Sequence, residues 1–265
     1  MIEQCAALTI AGSDSGGGAG IQADLKTFSA LGVFGTSVIT AITAQNLHGV
    51  SAIQAIEVEV VQKQLQAVLQ GFPIKAVKTG MLFSAEIIEG VARILSGFRE
   101  IPLVVDPVFA ATSGSKLIRD DAIQQLQEKL VPLAALVTPN IPEAEMLTGQ
   151  SIKNRHDLEQ AAKTLFGVFN VPVLLKGGHL EDRALDILID GEGMEHLESE
   201  LVRGINNHGS GCTLASAIAA ALARGESLRN AVKTAKSYIL QALKNSLRLS
   251  ANLRVINHFP QPSWP

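Results

Sequence analysis

Aromatic residues, cysteines and surplus positive charge are all scarce in this sequence. Aromatic side chains make up 4% of the 265 residues, so the core has to be built from alanine, valine, isoleucine and leucine. The two cysteines, Cys5 and Cys212, are too few for a disulfide framework and fit a reducing compartment. The formal net charge of −3 supplies no positive field for nucleic acid or for an anionic membrane.

Long apolar runs and a secretion signal are missing as well. No stretch approaches the ~18 uninterrupted apolar residues of a membrane-spanning helix. Met1 is followed by Glu3 and Gln4 instead of basic residues and an apolar segment, so no signal peptide is visible. We therefore expect a soluble cytoplasmic protein with no nucleic-acid partner and no membrane partner.

The sequence does contain a regular alternation of two hydrophobic patterns. Hydrophobic residues account for 47% and charged residues for 18%, which excludes a disordered chain and a coiled coil. Short apolar runs alternate with stretches whose apolar residues recur every three or four positions. This order is typical of an α/β fold with a mainly parallel central sheet and helices on both faces. Strands are predicted at 6–11, 33–44, 75–79, 101–105, 135–138 and 171–176, a hairpin at 184–190 and 194–202, and the longest helices at 157–169, 212–223 and 228–247.

No linker, internal repeat or block of charge divides the chain. We therefore predict one domain over residues 1–265, with a poorly ordered proline-rich tail after about residue 259. Ligands of parallel α/β sheets bind at the carboxyl ends of the strands. The loops that follow the predicted strands are therefore the segments in which chemistry is expected.

The first of these loops, residues 12–20, contains five glycines. Glycine permits positive φ and lets the backbone approach a ligand closely. The loop is not a P-loop, because the lysine and the serine or threonine of that motif are absent, and it lacks the spacing of a dinucleotide fingerprint. Two interpretations remain, a tight strand-to-helix turn or a small-molecule site. The polar neighbours Ser13, Asp14 and Asp24 favour the site.

A second glycine-containing loop precedes the apolar helix predicted at 212–223. Gly209, Ser210 and Gly211 would offer unobstructed backbone N–H groups at the helix N-terminus, an arrangement that binds anions and could stabilise a phosphoryl group in transfer. Cys212 would lie in the first helical turn, where the helix dipole lowers the pKa of a thiol. The alternatives are an ordinary N-terminal turn and a cysteine that is only a small buried residue.

Polar side chains follow several predicted strands. Asp106 ends one strand, Asn140 and Glu143 follow the next, and Lys176 ends a third. Carboxylates such as Asp106 and Glu143 can hold Mg²⁺ through water, because this ion keeps much of its hydration. Lys176 could neutralise a nucleotide phosphate, with Asn140 beside it, while Glu143 alone could also be an acid that favours a helix N-terminus. The six histidines show no zinc-type spacing.

In their order along the chain, these segments resemble the ribokinase-like kinases. More narrowly, they resemble the hydroxymethylpyrimidine/phosphomethylpyrimidine kinases of thiamine biosynthesis. The resemblance runs from residue 7 to residue 213, and each segment alone would be weak. The resembling segments are 7–28, 38–41, 44–46, 78–82, 105–108, 138–143 and 208–213.

The resemblance implies a three-layer α/β/α ribokinase-like fold and an enzyme that uses ATP and Mg²⁺. The implied reaction is phosphorylation of 4-amino-5-hydroxymethyl-2-methylpyrimidine, followed by phosphorylation of the monophosphate to the diphosphate. Related kinases are commonly homodimers. By the same resemblance the pyrimidine is held by residues matching Gly12, Asp24, Gln45, Met81 and Val108. This set is chemically reasonable, because an amide offers a donor and an acceptor to an aminopyrimidine edge.

The resemblance also assigns roles at the second glycine loop. Most ribokinase-like enzymes carry an aspartate base where Cys212 stands, and the cysteine is typical of this branch. Our hypothesis is that Cys212 accepts or orients the proton of the hydroxymethyl group, while the backbone of 209–211 forms an anion hole. Residues 109–115 correspond to a flap over the site, in which Thr112 and Ser113 have no role that the sequence suggests.

Three other functions remain open at this point. The first is a pyridoxine/pyridoxal kinase of the same branch, against which Gln45 argues because it suits an aminopyrimidine edge. The second is a non-catalytic pyrimidine or nucleotide sensor, which would not need a phosphoryl-transfer apparatus. The third is a hydrolase with a cysteine nucleophile, for which the sequence offers no convincing base.

Overall fold

A computed structural model describes residues 5–110, 117–178, 183–251 and 253–260. Its main feature is a nine-stranded sheet in the order β3-β2-β1-β4-β5-β6-β7-β8-β9. The strands from β2 to β7 in this order pair in parallel, whereas β3, β8 and β9 pair antiparallel to their neighbours. The strands are β1 (Ala6–Asp14), β2 (Phe34–Asn46), β3 (Gly49–Ala55), β4 (Ile74–Thr79), β5 (Leu103–Val105), β6 (Leu136–Val137), β7 (Val173–Lys176), β8 (Arg183–Asp190) and β9 (Gly193–Glu200).

Helices cover both faces of this sheet. The helices are α1 (Gly20–Ala30), α2 (Val58–Gly71), α3 (Ala85–Leu95), α4 (Asp120–Gln125, continued by a π turn and a 3-10 turn to Leu133), α5 (Ile141–Thr148), α6 (Arg155–Phe169), α7 (Ser210–Ala223) and α8 (Leu228–Lys244). Helices α1, α7 and α8 pack into one apolar core, and α2 to α6 pack into the other. The three-layer α/β/α prediction is confirmed. None of the helices in the described ranges combines the length and the apolar character needed to span a bilayer.

The central strands are buried on both faces, which explains their continuous apolar sequence. In β1, Leu8 and Ile10 face one core and Ala7 faces the other. Helix α7 is built largely from alanine and has ten buried residues, so it can lie close to the sheet. Small side chains on this helix therefore set the distance at which its N-terminus meets the strand ends.

The sequence patterns did not predict β3, the edge strand on one side of the sheet, or the small C-terminal hairpin. Strand β3 is largely exposed and pairs antiparallel with β2, so it lacks the apolar alternation that reveals a half-buried strand. Helix α8 ends at Lys244, not at residue 247, because Leu247 begins the small hairpin β10 (Leu247–Ser250) and β11 (Leu253–Val255). The hairpin of β8 and β9 lies where it was predicted.

Two expectations are not resolved by this architecture. The single domain over residues 1–265 stays a prediction. The tail expected after residue 259 falls mainly on residues 261–265, which lie outside the described residues.

The carboxyl ends of the parallel strands meet at one edge of the sheet. The first glycine loop begins within the last residues of β1, Gly80 follows β4 and Asp106 follows β5. Asn140 follows β6 and bridges to Lys176, the last residue of β7. The N-terminus of α7 packs against the same edge, so the candidate residues converge there.

Candidate active site

A cavity of about 900 Å³ lies at this edge of the sheet. All but one of the predicted site residues line it. The lining includes Gly12, Gln45, Met81, Asp106, Val108, Asn140, Glu143, Lys176, Gly209, Ser210, Gly211 and Cys212. The exception is Asp24, which is fully buried behind the cavity wall.

Asp14 organises the first glycine loop. Its carboxylate accepts hydrogen bonds from the backbone N–H groups of Gly16 (2.8 Å), Gly18 (3.1 Å) and Ala19 (2.8 Å). Burial by itself raises the pKa of Asp14, but the His208 side chain and these amides outweigh it and hold that pKa below its ordinary value. The sequence offered Asp14 only as a polar neighbour of the loop, and the structure makes it the centre of the loop.

The two glycine loops touch at Gly209. This residue has φ +83°, and a Cβ at this position would run into the carbonyl oxygen of Gly18. Glycine is therefore required by conformation and by contact. The Nε2 atom of His208 lies 2.9 Å from Oδ2 of Asp14, which fastens the second loop to the first.

Gln45 is positioned by both loops. Its backbone N–H donates to Ser15 Oγ and its carbonyl accepts from the same hydroxyl, both at 2.8 Å. Its side-chain Nε2 lies 3.2 Å from His208 Nε2, and its Oε1 accepts from Thr43 Oγ1 at 3.2 Å. The amide predicted to read the pyrimidine is thus held at the cavity wall by side chains from β2 and from the α7 loop.

The structure does not place Asp24 in the cavity, so the expected direct contact with the pyrimidine is corrected. Both oxygens of this carboxylate accept from Lys78 Nζ, at 3.0 and 2.9 Å, and it also accepts from Thr9 Oγ1 and Ser216 Oγ. Its hydrogen-bonding capacity is used inside the protein. Asp24 is the counter-ion of a buried lysine.

Cys212 lines the cavity and is partly accessible, close to the first glycine loop, as the hypothesis required. Its expected low pKa is wrong. Burial raises the pKa of the thiol to about 11, although Lys78 and the backbone N–H of Gly20 act in the opposite direction. Surrounding protein atoms replace much of the water around the sulfur, and this desolvation outweighs the lowering effects of Lys78 and Gly20. Cys212 is therefore a neutral thiol at pH 7.

Asp106 and Lys176 form a buried ion pair at the ends of β5 and β7. Lys176 Nζ donates to Asp106 Oδ1 at 2.8 Å, and Thr138 Oγ1 donates to the same oxygen at 2.9 Å. Burial alone raises the pKa of Asp106, but Lys176 and Lys78 overcome it and hold that pKa below the ordinary value. The aspartate is therefore ionised at neutral pH.

Asn140 and Glu143 form a capping box at the start of α5. The Asn140 side chain accepts from the Glu143 backbone N–H at 2.9 Å, and Glu143 Oε2 accepts from the Asn140 backbone N–H at 2.8 Å. The helix-terminal interpretation of Glu143 is thus realised, while both residues still line the cavity. Burial raises the pKa of Glu143 to about 7, against the lowering effect of Lys176.

The elevated pKa of Glu143 predicts a pH-dependent stability. A group whose folded-state pKa rises from 4.5 to about 7 stabilises the fold fully below pH 4.5 and loses that contribution as the pH passes 7. With chelator present and no nucleotide, Glu143→Gln should therefore gain stability relative to the parent between pH 5.5 and pH 8, on the order of 1–3 kcal/mol. Urea unfolding at both pH values measures this gain.

Glu89→Gln, on the exposed side of α3, is the control for that experiment. This control should show the same difference from the parent at both pH values. A Glu143→Gln difference that is equally independent of pH would contradict the assignment.

The residues present fit a magnesium ion only in the company of a phosphate. Within the part of the chain that the structure describes, no group of three or more histidine, cysteine, aspartate or glutamate side chains could hold a metal ion. Asp106 and Glu143 nevertheless bring two carboxylates to the cavity. Mg²⁺ commonly binds through one or two carboxylates, waters and substrate phosphates, which matches this set.

Sequence reasoning missed several residues of the cavity. Lys78 is a fully buried lysine near the end of β4, directly after Ala76 and Val77, and a charged residue at such a position was a signal that could have been read. His208 appeared isolated because its partners Asp14 and Gln45 are distant in sequence. Asp186 and Lys236, paired at 2.7 Å on the wall, belong to no motif. Thr112 and Ser113 of the expected flap lie outside the described residues.

Comparison with known proteins agrees with this geometry. The family model described as phosphomethylpyrimidine kinase matches residues 14–257. The hydroxymethylpyrimidine/phosphomethylpyrimidine kinase of Rhizobium meliloti (strain 1021) is 49% identical over 245 residues, which cover 92% of each chain. The thiamine biosynthesis bifunctional protein ThiED of Geobacter sulfurreducens is 50% identical over 252 residues, and the chain spans about half of its length (51%).

A solved structure is similar to this chain over nearly its whole length. The ADP complex of Bacillus subtilis pyridoxal kinase superimposes with a TM-score of 0.88 at 37% identity, covering 97% of this chain and 98% of that one. This structural match supports the α/β architecture described above. The family match extends over most of the chain, and the Rhizobium relative is covered almost end to end. The chain belongs to the phosphomethylpyrimidine kinase family.

Proposed function

We propose that this chain is an ATP- and Mg²⁺-dependent kinase that phosphorylates 4-amino-5-hydroxymethyl-2-methylpyrimidine and then its monophosphate. One observation carries the proposal. A single cavity contains the fixed amide of Gln45, the thiol of Cys212 at the start of α7, and the Lys176–Asp106 ion pair at the strand ends. These three parts would bind the acceptor, the transferred group and the phosphate donor, respectively.

The acceptor end of the cavity is lined by Gln45, Gly12, Met81 and Val108. The Gln45 amide presents a donor and an acceptor, which complements the ring nitrogen and exocyclic amine of an aminopyrimidine. Met81 and Val108 supply apolar contact to the ring faces. A Cβ at Gly12 would lie 3.0 Å from Met81 Sδ, so glycine leaves the room that this packing needs.

The donor end is lined by the Lys176–Asp106 pair, by Asn140 and by Glu143. Lys176 is placed to move from Asp106 to a nucleotide phosphate, while Asp106 and Glu143 would hold Mg²⁺ through water. When bound, the ion would neutralise charge on the nucleotide phosphates. An apolar region of the same wall suits the adenine ring and is formed by Val202, Leu214, Ile239 and Leu243.

Between the two ends, the start of α7 would offer the N–H groups of Gly209 and Gly211 to the transferred phosphoryl group, whereas the Ser210 N–H donates to the Asn207 carbonyl oxygen at 3.0 Å. The positive end of the helix favours negative charge there. The neutral Cys212 thiol is better suited to orienting the hydroxymethyl group than to acting as a preformed thiolate base. Phosphoryl transfer depends mainly on positioning and charge stabilisation, so an orienting role is sufficient.

Replacing Gln45 tests the acceptor assignment. Gln45→Leu keeps the size of the side chain but removes both hydrogen-bonding groups. KM for the pyrimidine alcohol should rise by about 5- to 150-fold, the cost of 1–3 kcal/mol of lost hydrogen bonding, while kcat changes less. Steady-state kinetics at saturating ATP measure the change. An unaltered KM would remove Gln45 from substrate recognition.

The pyridoxal kinase alternative deserves a direct comparison, because the superimposed solved structure carries that name. Side-by-side measurement of kcat/KM on the pyrimidine alcohol and on pyridoxal decides between them. We expect a preference for the pyrimidine. A preference for pyridoxal would replace the proposed substrate while leaving the kinase assignment intact. Cytoplasmic localisation and a homodimer stay predictions.

A further inference from the structure

We propose that the buried Lys78–Asp24 pair is an electrostatic positioning device, which holds a positive charge beside Cys212 so that negative charge is tolerated at the transfer end of the cavity. This inference rests on the proposed function, because it assigns the pair to the phosphoryl-transfer step. Lys78 would act through Cys212 and the field of the site, without touching the substrate.

The pair joins β4 to α1 and is held by side chains from two further elements, β1 and α7. Neither side chain is exposed to solvent (0% for each), and Lys78 Nζ lies 3.0 and 2.9 Å from the two oxygens of Asp24. Thr9 on β1 and Ser216 on α7 donate to the same carboxylate. Asp24 therefore accepts on both oxygens and has no freedom to turn toward a ligand.

The backbone leaves a specific space for the ammonium group. A Cβ at Gly80 would lie 2.9 Å from Lys78 Nζ and 3.1 Å from the Ala11 side chain, so the ammonium occupies the volume beside this glycine at the end of β4. Lys78 also contributes to the cavity wall that Cys212 lines. The positive charge of Lys78 therefore lies at the carboxyl ends of the strands, where the candidate active site is.

Stability alone does not explain a charged pair at this place. A buried ion pair is often no more stabilising than well-packed apolar side chains of the same volume, because both ions lose their hydration. The position of the pair relative to the Cys212 sulfur explains why it is charged. Four charged groups act on the Cys212 sulfur: Lys78, Asp24, Asp106 and Lys176. Of the pair, Lys78 favours negative charge on the sulfur more strongly than Asp24 opposes it.

The test measures the Cys212 thiol itself and needs no kinase activity. In a Cys5→Ser background, the rate of iodoacetamide alkylation is followed from pH 7 to pH 10, with Cys212→Ala as the blank. Because only the thiolate reacts, Asp24→Asn should speed alkylation at pH 8 by roughly 3- to 10-fold, and Lys78→Met should slow it by a similar factor. Lys78→Arg, which keeps the charge, should stay near the parent rate.

A faster alkylation in Asp24→Asn together with a slower alkylation in Lys78→Met is a result that a merely structural role would not give. If the two variants only loosened the protein, both would speed alkylation, and that result would overturn the proposal, as would two unchanged rates. If either single variant fails to fold by circular dichroism, the double variant Asp24→Asn/Lys78→Met replaces it. We expect the double variant to react more slowly than the parent, and an equal or faster rate counts against the pair.

The proposed function fails separately from this inference. Full kinase activity in Cys212→Ala would end the catalytic role of the thiol, yet it would leave the opposite alkylation effects to be explained. With the function intact, Lys78→Met should lower kcat and leave KM for the pyrimidine nearly unchanged. A change confined to KM would place Lys78 in binding and contradict the positioning role.

Discussion

Cys212→Ala is expected to lower the turnover of the pyrimidine alcohol by ~10²–10⁴, the usual contribution of a group that orients or accepts a proton in the transition state. The thiol lines the cavity at the start of α7, where a hydroxymethyl group would meet the transferred phosphoryl group. KM for the alcohol should change little, because Gln45, Met81 and Val108 are untouched. Single-turnover kinetics separate the chemical step from binding.

The second phosphorylation supplies an internal control for that variant. A phosphate monoester is already largely ionised at pH 7, since its second pKa lies near 6, so its oxygen needs no help in losing a proton. Cys212→Ala should therefore slow phosphorylation of the monophosphate far less than phosphorylation of the alcohol. Equal losses in both steps would indicate that Cys212 supports the shape of the anion loop instead of the alcohol proton.

Gly209→Ala is expected to have the second large effect. A Cβ at this position would strike the carbonyl oxygen of Gly18, so the α7 loop would have to move away from the first glycine loop. The backbone N–H groups of Gly209 and Gly211 would then be displaced from the transferred group. Displacing one such donor typically costs ~10²–10³ in kcat. Turnover at saturating substrates measures this loss.

Gly225→Ala is the matched control, because it separates backbone strain from loop contact. Gly225 also has positive φ (+86°), yet nothing lies within 4 Å of its missing Cβ. Both variants should lose about 1–2 kcal/mol of stability through strain, and Gly209→Ala should lose more through its contact with Gly18. Only Gly209→Ala should lose activity. If Gly225→Ala lowers kcat as much, strain in α7 accounts for the effect and the anion-loop argument is wrong.

The sequence was sufficient to predict the layers, every strand of the large sheet except β3, and the end of the sheet at which the candidate residues meet, for identifiable reasons. Strands buried on both faces give uninterrupted apolar runs, and β1 and β5 are of this kind. The polar residues after these strands meet at one edge because parallel strands end together. Strand β3 was not predicted because an exposed edge strand has no apolar alternation to detect.

Side-chain partners and ionisation were harder to predict than position. Asp24 has the sequence context of a ligand contact, but only the fold shows that Lys78 lies against it. The pKa of Cys212 is raised mainly by burial and is also shifted by Lys78, Asp24 and Asp106, none of which the sequence places beside the sulfur. The contacts of His208 with Asp14 and Gln45 join residues far apart in the chain, which no local pattern encodes.

The central claim is that a single cavity transfers phosphoryl groups from ATP to a pyrimidine alcohol and then to its phosphate. Phosphorus NMR of a mixture containing the protein, MgATP and 4-amino-5-hydroxymethyl-2-methylpyrimidine tests this most directly. The account predicts a phosphomonoester resonance that appears first and gives way to a diphosphate as ADP accumulates. ATP that stays intact, or that is hydrolysed to free phosphate with no phosphoester formed, would contradict it.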